Sequence, residues 1–425
     1  MELDDHLFRR ESARLVAALT RVFGVAHLAL AEDVAQDTLA SAFAAWSWSG
    51  VPEHYSALLM TAAKNRALDV FRRESTARRL APELNRFIES QWSLAPAPEE
   101  PRLDDDQLRM MFTCCHPRLT EDAQVALILK ILCGFSTGEI ASAFLAGEAA
   151  IEKRIVRGKK VLAESKRLFE LGPDDVAVRL GAVQRALYLL FSEGYHGAGA
   201  EAVVRRELCQ EAMRLAGFLI DHAAAATPET FALAALMHLD AARLPARLDD
   251  AGNLVDLFDQ DRSRWDAGLI AEGMRLLDRS AVGSELSAYH VEAAIAANHA
   301  EAPTAAETRW DEIVKLYDLL LRIRPSPVVA LNRAMAVAQN EGAARGLEEL
   351  HAIEGSERLA GYLFYAAALG ELELRQGRPD VAGEHFRAAL ALARNPAERR
   401  FLEERLDLCY ASGDAGSGNG PGRLR

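Results

Sequence analysis

Apolar residues recur at three- and four-residue spacing along most of this chain, the period of amphipathic helices. Leu15, Leu19, Val22 and Phe23 form the first such stripe. A second helix is predicted from about Leu30 to Trp46, with Val34, Leu39 and Phe43 facing a core. The stretch Trp46–Tyr55, with two Trp, a Tyr, a Gly and a Pro, predicts an interruption. Ser56 to Glu74 reads as a third helix, with Leu58, Leu59, Ala62 and Leu68 on its core side. Thr120 to Cys133 follows the same rule through Val125, Leu127, Ile128, Ile131 and Leu132, and Gly134 ends it. Ser136 and Glu139 have capping-box spacing and open a helix over Ser136–Phe144. Leu145–Glu148 supplies a short turn before a helix over Ala149–Leu162, with Ile151, Ile155 and Leu162 inward. Further helices are predicted over Trp310–Leu321 and Val328–Ala338. Residues 363–396 fit a TPR frame in part through Leu369, Gly370, Ala382, Phe386 and Ala389, with a turn at Gly377–Pro379. One such repeat cannot bury its face alone, so its neighbours must stack on it. No period-2 segment flanked by hairpin signals occurs, so the fold class is all-α.

Breaks in this pattern divide the 425 residues. Blocks are expected at 1–90, 105–170 and 174–412, joined by a stiff Pro/acidic linker at 91–104. A Gly/Ser-rich tail at 413–425 is expected to be disordered. Charge sharpens the division. The chain carries a net −13, yet residues 1–170 hold 22 basic and 24 acidic side chains, leaving most of the acidity to the remainder. Such a balance excludes a general nucleic-acid coat and leaves room for local basic patches. No run of 18 apolar residues suggests a membrane span, and five cysteines without a CxxC pair suit a reducing cytoplasm.

Those patches are the candidate chemistry. Glu32, Asp33, Gln36 and Asp37 share one helix side, either a plainly solvated face or a contact surface. Lys64, Asn65, Arg66, Asp69, Arg72 and Arg73, followed by Arg78 and Arg79, lie beside the aromatic stretch. Arginines that track phosphates next to aromatics that stack on bases suit single-stranded DNA, although an exposed charged helix beside structural tryptophans has the same spelling. Helix, short turn and basic second helix over 120–162 is the form of a helix-turn-helix. Glu152, Lys153 and Arg154 lie early enough in the second helix to reach bases, and Arg157, Lys159 and Lys160 suit phosphates; a plain helical hairpin is the alternative. Asp259–Trp265 reads either as a site or as a salt-bridged corner. Cys114, Cys115 and His116 with Cys133 are read as small buried apolar residues, because adjacent cysteines cannot both ligate one zinc comfortably. No phosphate-cradling loop, metalloprotease helix or nucleophile elbow is spelled, so neither enzyme, metal nor cofactor is expected.

In this order, the blocks resemble an extracytoplasmic-function (ECF) sigma factor of the sigma-70 family. Ala31–Leu39 resembles region 2.2, which implies that Asp33, Gln36 and Asp37 contact the β′ clamp helices of RNA polymerase. Ala63–Arg73 is similar to regions 2.3–2.4. The resemblance assigns −10 contacts to Trp48, Tyr55, Lys64, Asn65, Arg66, Arg72 and Arg73, with about Ser47–Tyr55 as a pocket loop for a flipped base. Ser136–Lys160 resembles region 4, which binds the β flap and the −35 element; Thr137, Glu152, Lys153, Arg154, Arg157, Lys159 and Lys160 are the implied DNA contacts. Met111–Leu119, Phe191–Tyr195, Asp259–Trp265, Ala293–Ala300 and Ser326–Ala334 resemble a large subgroup with a TPR-like C-terminal extension. The resemblance implies a cytoplasmic subunit that directs core polymerase to promoters, with an extension that regulates through a protein or small-ligand partner. The rival reading is a helical scaffold or ligand-sensing regulator whose sigma-like half does not initiate transcription.

Overall fold

A computed structural model describes residues 5–74, 101–144, 146–164, 173–196, 204–250, 252–393 and 395–416. Eighteen α-helices, short 3-10 turns and no strand occur among them; one isolated bridge pairs Leu248 with Leu254. The chain forms two compact units: residues 1–192 with 210–226, and residues 193–209 with 227–425.

The first unit contains α1 (Asp5–Phe23), α2 (Leu28–Ser49), α3 (Tyr55–Glu74), α4 (Pro101–Cys114), α5 (Glu121–Ile131), α6 (Thr137–Ala143) and α7 (Glu148–Ala163). It also holds most of α8 (Pro173–His196) and α9 (Arg206–Asp221). Helix α1 is the hub, packing on α2, α3 and α4 through Leu15, Leu19 and neighbours that are fully buried. Met110, Met111 and Phe112 of α4 and Leu127 and Ile128 of α5 complete that core. Polar groups inside it are tied down: Arg21 is 3.2 Å from Asp106, and Arg179 donates to the Phe112 carbonyl at 3.1 Å. Cys114, Cys115 and Cys133 are buried, and burial pushes their thiols up, so they pack as apolar residues.

Three expectations shift here. Helix α2 runs on to Ser49, so Trp46–Ser49 are helical and only Gly50–His54 separate α2 from α3. Gly50, at φ 77°, makes the break that the tryptophans were read as making. Helix α3 buries Leu59, Ala63 and Ala67, while Leu58 and Ala62 are exposed. That face is built from small residues, which let α3 approach α1 and α2 closely. The linker's Pro101 opens α4 instead of continuing the spacer, since a proline costs nothing at a position whose N–H has no helical partner. Residues 75–100, and with them Arg78, Arg79 and most of the linker, lie outside the described residues.

In the second unit, α10 (Pro228–Ala241), α11 (Ala267–Ser280), α12 (Ala288–Glu301), α13 (Trp310–Ile323), α14 (Pro327–Glu341), α15 (Ala343–His351), α16 (Leu363–Arg375), α17 (Pro379–Leu392) and α18 (Pro396–Gly416) each pack on the next. Each helix buries one face against its successor, the logic of stacked repeats. In the α16–α17 hairpin, Ala382, Phe386 and Ala389 are buried, and a Cβ on Gly370 would lie 2.9 Å from the Phe386 ring, so only glycine admits that ring. Helix α18 reaches Gly416, four residues into the tail expected to be disordered; 417–425 lie outside the described residues.

Candidate nucleic-acid interface

Helices α6 and α7 are set by local chemistry. The Ser136 N–H donates to Glu139 Oε2 at 2.7 Å, and the Glu139 N–H donates to Ser136 Oγ at 3.1 Å, a complete capping box. Burial alone would raise the Glu139 carboxyl, but Ser136 and Arg9 hold it down to about 2. Gly134, at φ +64°, turns the chain beside Arg9, whose guanidinium is 3.0 Å from Glu139 and 5.7 Å from the Phe135 ring. Helix α7 buries Ile151, Ile155, Gly158 and Leu162. A Cβ on Gly158 would sit 2.8 Å from Leu127, so glycine sets how closely α7 seats on α5.

This seating leaves Glu152, Lys153, Val156, Arg157 and Lys160 exposed along α7. Periodicity identified the charged members of that face and missed Val156, which is 62% exposed, enough for an apolar contact to a base edge. The other predicted −35 residues are engaged within the protein. Thr137 Oγ1 donates to Glu148 Oε1 at 2.8 Å. Arg154 stacks over Phe144 at 5.6 Å and lies 3.8 Å from Asp122. Lys159 meets both Glu32 carboxylate oxygens, at 2.6 and 2.7 Å.

The predicted −10 set also divides. Trp48 is 93% exposed at the end of α2, a large ring with a free face. Tyr55 is held: its hydroxyl accepts from Arg10 at 2.6 Å, and its ring meets Trp46 edge-on at 6.3 Å. Asn65 is exposed and Lys64 half-buried on α3. Arg66 reaches across to α2, donating to the Asp37 carbonyl and Ser41 Oγ and lying 3.4 Å from the Asp37 carboxylate. The side chains of Arg72 and Arg73 lie outside the described residues. Asp33, Gln36 and Asp37 form an exposed acidic and amide face on α2. Helical spacing identified these faces. It could not reveal the pairings Lys159–Glu32, Arg9–Glu139 and Arg66–Asp37, which join residues 127, 130 and 29 positions apart.

No helix among the described residues is long and apolar enough to cross a membrane. Residues 109–162 match the family model described as "Sigma-70, region 4", which gives the helix-turn-helix a sigma-factor-like DNA-binding role. Residues 179–281 match a family described as of unknown function, DUF6596. An uncharacterized protein of Rhizobium meliloti (strain 1021) is 38% identical over 396 residues, covering 92% of each chain. The chain belongs to one family with that Rhizobium protein and, through its region 4, to the sigma-70 family.

Proposed function

We propose that this chain is an ECF-type sigma factor: it brings core RNA polymerase to specific promoters in the cytoplasm and starts transcription there. Its C-terminal part is a TPR-like regulatory extension. The exposed α7 face of Lys153, Val156, Arg157 and Lys160, in a helix-turn-helix matching sigma-70 region 4, carries this reading. A helix that buries its other side on α5 and offers cations and one apolar side chain has the form of a −35 reader. On α2, Asp33, Gln36 and Asp37 are the proposed grip on the β′ clamp helices, with the β flap contacting region 4. Trp48, Asn65 and Lys64, with Arg72 and Arg73, are the proposed −10 surface. Tyr55 and Arg66 support that surface from behind, because each is bonded to a neighbouring helix. Melting by such a surface draws on binding energy and needs no nucleotide hydrolysis.

Run-off transcription with core polymerase tests this. A promoter-dependent transcript is expected from the intact chain. Asp33→Ala with Gln36→Ala should abolish core binding. Lys153→Ala with Arg157→Ala should leave core binding intact and weaken promoter binding about tenfold or more, by loss of two phosphate or base contacts. No transcript from any promoter with core polymerase would end the proposal.

A further inference from the structure

Three of the C-terminal motifs that no DNA role absorbs send a residue to one place in the second unit. Tyr195, from Phe191–Tyr195, lies under the Arg247 guanidinium at 4.0 Å and near Arg243 at 6.0 Å. Arg243 also lies 5.5 Å from the Trp265 ring, and Arg262 lies 5.0 Å from it; both Arg262 and Trp265 come from Asp259–Trp265. Arg262 donates to the carbonyls of His299 and Ala302, at 2.8 and 2.6 Å, and to Thr308 Oγ1 at 3.0 Å. His299, from Ala293–Ala300, meets Trp310 edge-on at 5.3 Å. Residues more than a hundred positions apart thus build one ladder of guanidiniums and aromatic rings.

The ladder is short of negative charge and of acceptors. Among the described residues, Asp240, 3.8 Å from Arg243, is the one carboxylate in ion-pair range of its three guanidiniums. The Nε atoms of Arg243, Arg247 and Arg262, Nε1 of Trp265 and Nδ1 of His299 are buried without a hydrogen-bond partner. Trp265 and His299 are more than nine-tenths buried. Burial, then the charges of Arg243 and Arg262, holds the His299 imidazole down to about 3, so it stays neutral beside them. A buried donor without an acceptor costs about 1–3 kcal/mol, and here four donors on three elements share the deficit. The cations exclude a metal ion. A group with several acceptor lone pairs and a negative charge answers both shortages.

We propose that Arg243, Arg247, Arg262 and Trp265, with His299, form a binding site for the oxyanion of a small metabolite, a carboxylate or a phosphate. Arg–oxyanion pairs are often bidentate, which suits guanidinium edges held in place by ring stacking. The site adds a ligand to the regulatory extension, yet the binding itself does not depend on promoter-directed transcription.

The test uses the full chain without polymerase, so it can fail separately from the transcription assay. Thermal melting and calorimetry are run with inorganic phosphate in one arm and succinate in another, against chloride at matched ionic strength. A saturable rise in melting temperature with one anion is expected, and the arm that gives it identifies the oxyanion. Trp265→Phe removes the indole N–H and keeps a ring; it should weaken binding about tenfold or more. Arg243→Lys keeps the charge and loses the planar fork, and should do the same. Far-ultraviolet circular dichroism checks that each variant folds; if one does not, the other and the wild-type titration decide. Melting that moves no further in phosphate or succinate than in chloride overturns the proposal. So does binding that is equal in the wild type and the folded variants, which marks an adventitious ion only.

Discussion

A methyl group has no room at Gly194. A Cβ there would meet the backbone N of Cys209 at 2.8 Å and the carbonyl of Arg205 at 2.9 Å. The Arg205 N–H also donates to the Gly194 carbonyl at 2.7 Å, so the two strands of chain are clamped together. Gly194→Ala should destabilise the protein by about 1–3 kcal/mol in chemical denaturation, because backbone cannot swing aside as a side-chain tip can. Two buried titratable groups give a second expectation at this scale. Burial, outweighing its ion pair with Arg324, raises the Glu292 carboxyl from 4.5 to about 7. The folded state therefore holds the extra proton, and this group's contribution falls as pH rises from 4.5 to about 7. The His299 shift has the opposite sign: the unfolded chain binds the proton first, so stability is lost as pH falls from 6.5 towards about 3. Between 4.5 and 6.5 the two slopes oppose each other. Glu292→Gln removes one of them, so denaturation at pH 5 and pH 6.5 should show a steeper loss on acidification than in the wild type.

At the scale of elements, the capping box of Ser136 and Glu139 was legible because it needs only four consecutive residues. Ser136→Ala should cost about 1 kcal/mol in chemical denaturation, and Ser136→Asp should restore most of it, since either oxygen can accept the Glu139 N–H. Helix α7 was equally legible: its aliphatic residues repeat at three and four positions against an otherwise charged helix. Helix α3 was not. Its Ala-rich sequence offers apolar residues on nearly every side, and what selects Leu59, Ala63 and Ala67 is the closeness of α1 and α2. The end of α2 was misread for a related reason. Two tryptophans and two serines resemble a loop, yet Trp46 is buried at the last turn while Trp48, two positions on, stands in solvent. Side chains two apart in a helix point to different sides, so one aromatic run served two purposes.

For the whole molecule, the first unit does not stop where the Gly-Pro break at 172–173 suggests. Arg179 bonds the Phe112 carbonyl, Arg185 lies 2.6 Å from Glu121, and Arg214 donates to Gln107 at 3.1 Å. All three stabilise the helices around region 4 from residues beyond that break. A fragment ending at 172 should therefore melt at lower temperature than one ending at 226, measured by circular dichroism. Such ties join distant positions without any local spelling, which is why the sequence pattern divides the chain earlier than its packing does.

The bond from Lys159 to Glu32 bears on how the protein meets DNA. A lysine in solution carries loosely held counterions, which a phosphate releases on binding. Here the counterion is built in: it is a carboxylate of α2, the helix proposed to grip polymerase. A phosphate that takes Lys159 must displace Glu32 and frees no salt ion at that position. The two proposed binding faces are thus linked reciprocally, and whatever draws Glu32 away releases Lys159 for DNA, with the same coupling in the other direction. Glu32→Gln should uncouple them. Its affinity for promoter DNA, followed by fluorescence anisotropy across salt concentrations, should rise at low salt, and the logarithmic salt slope should steepen by about 0.9.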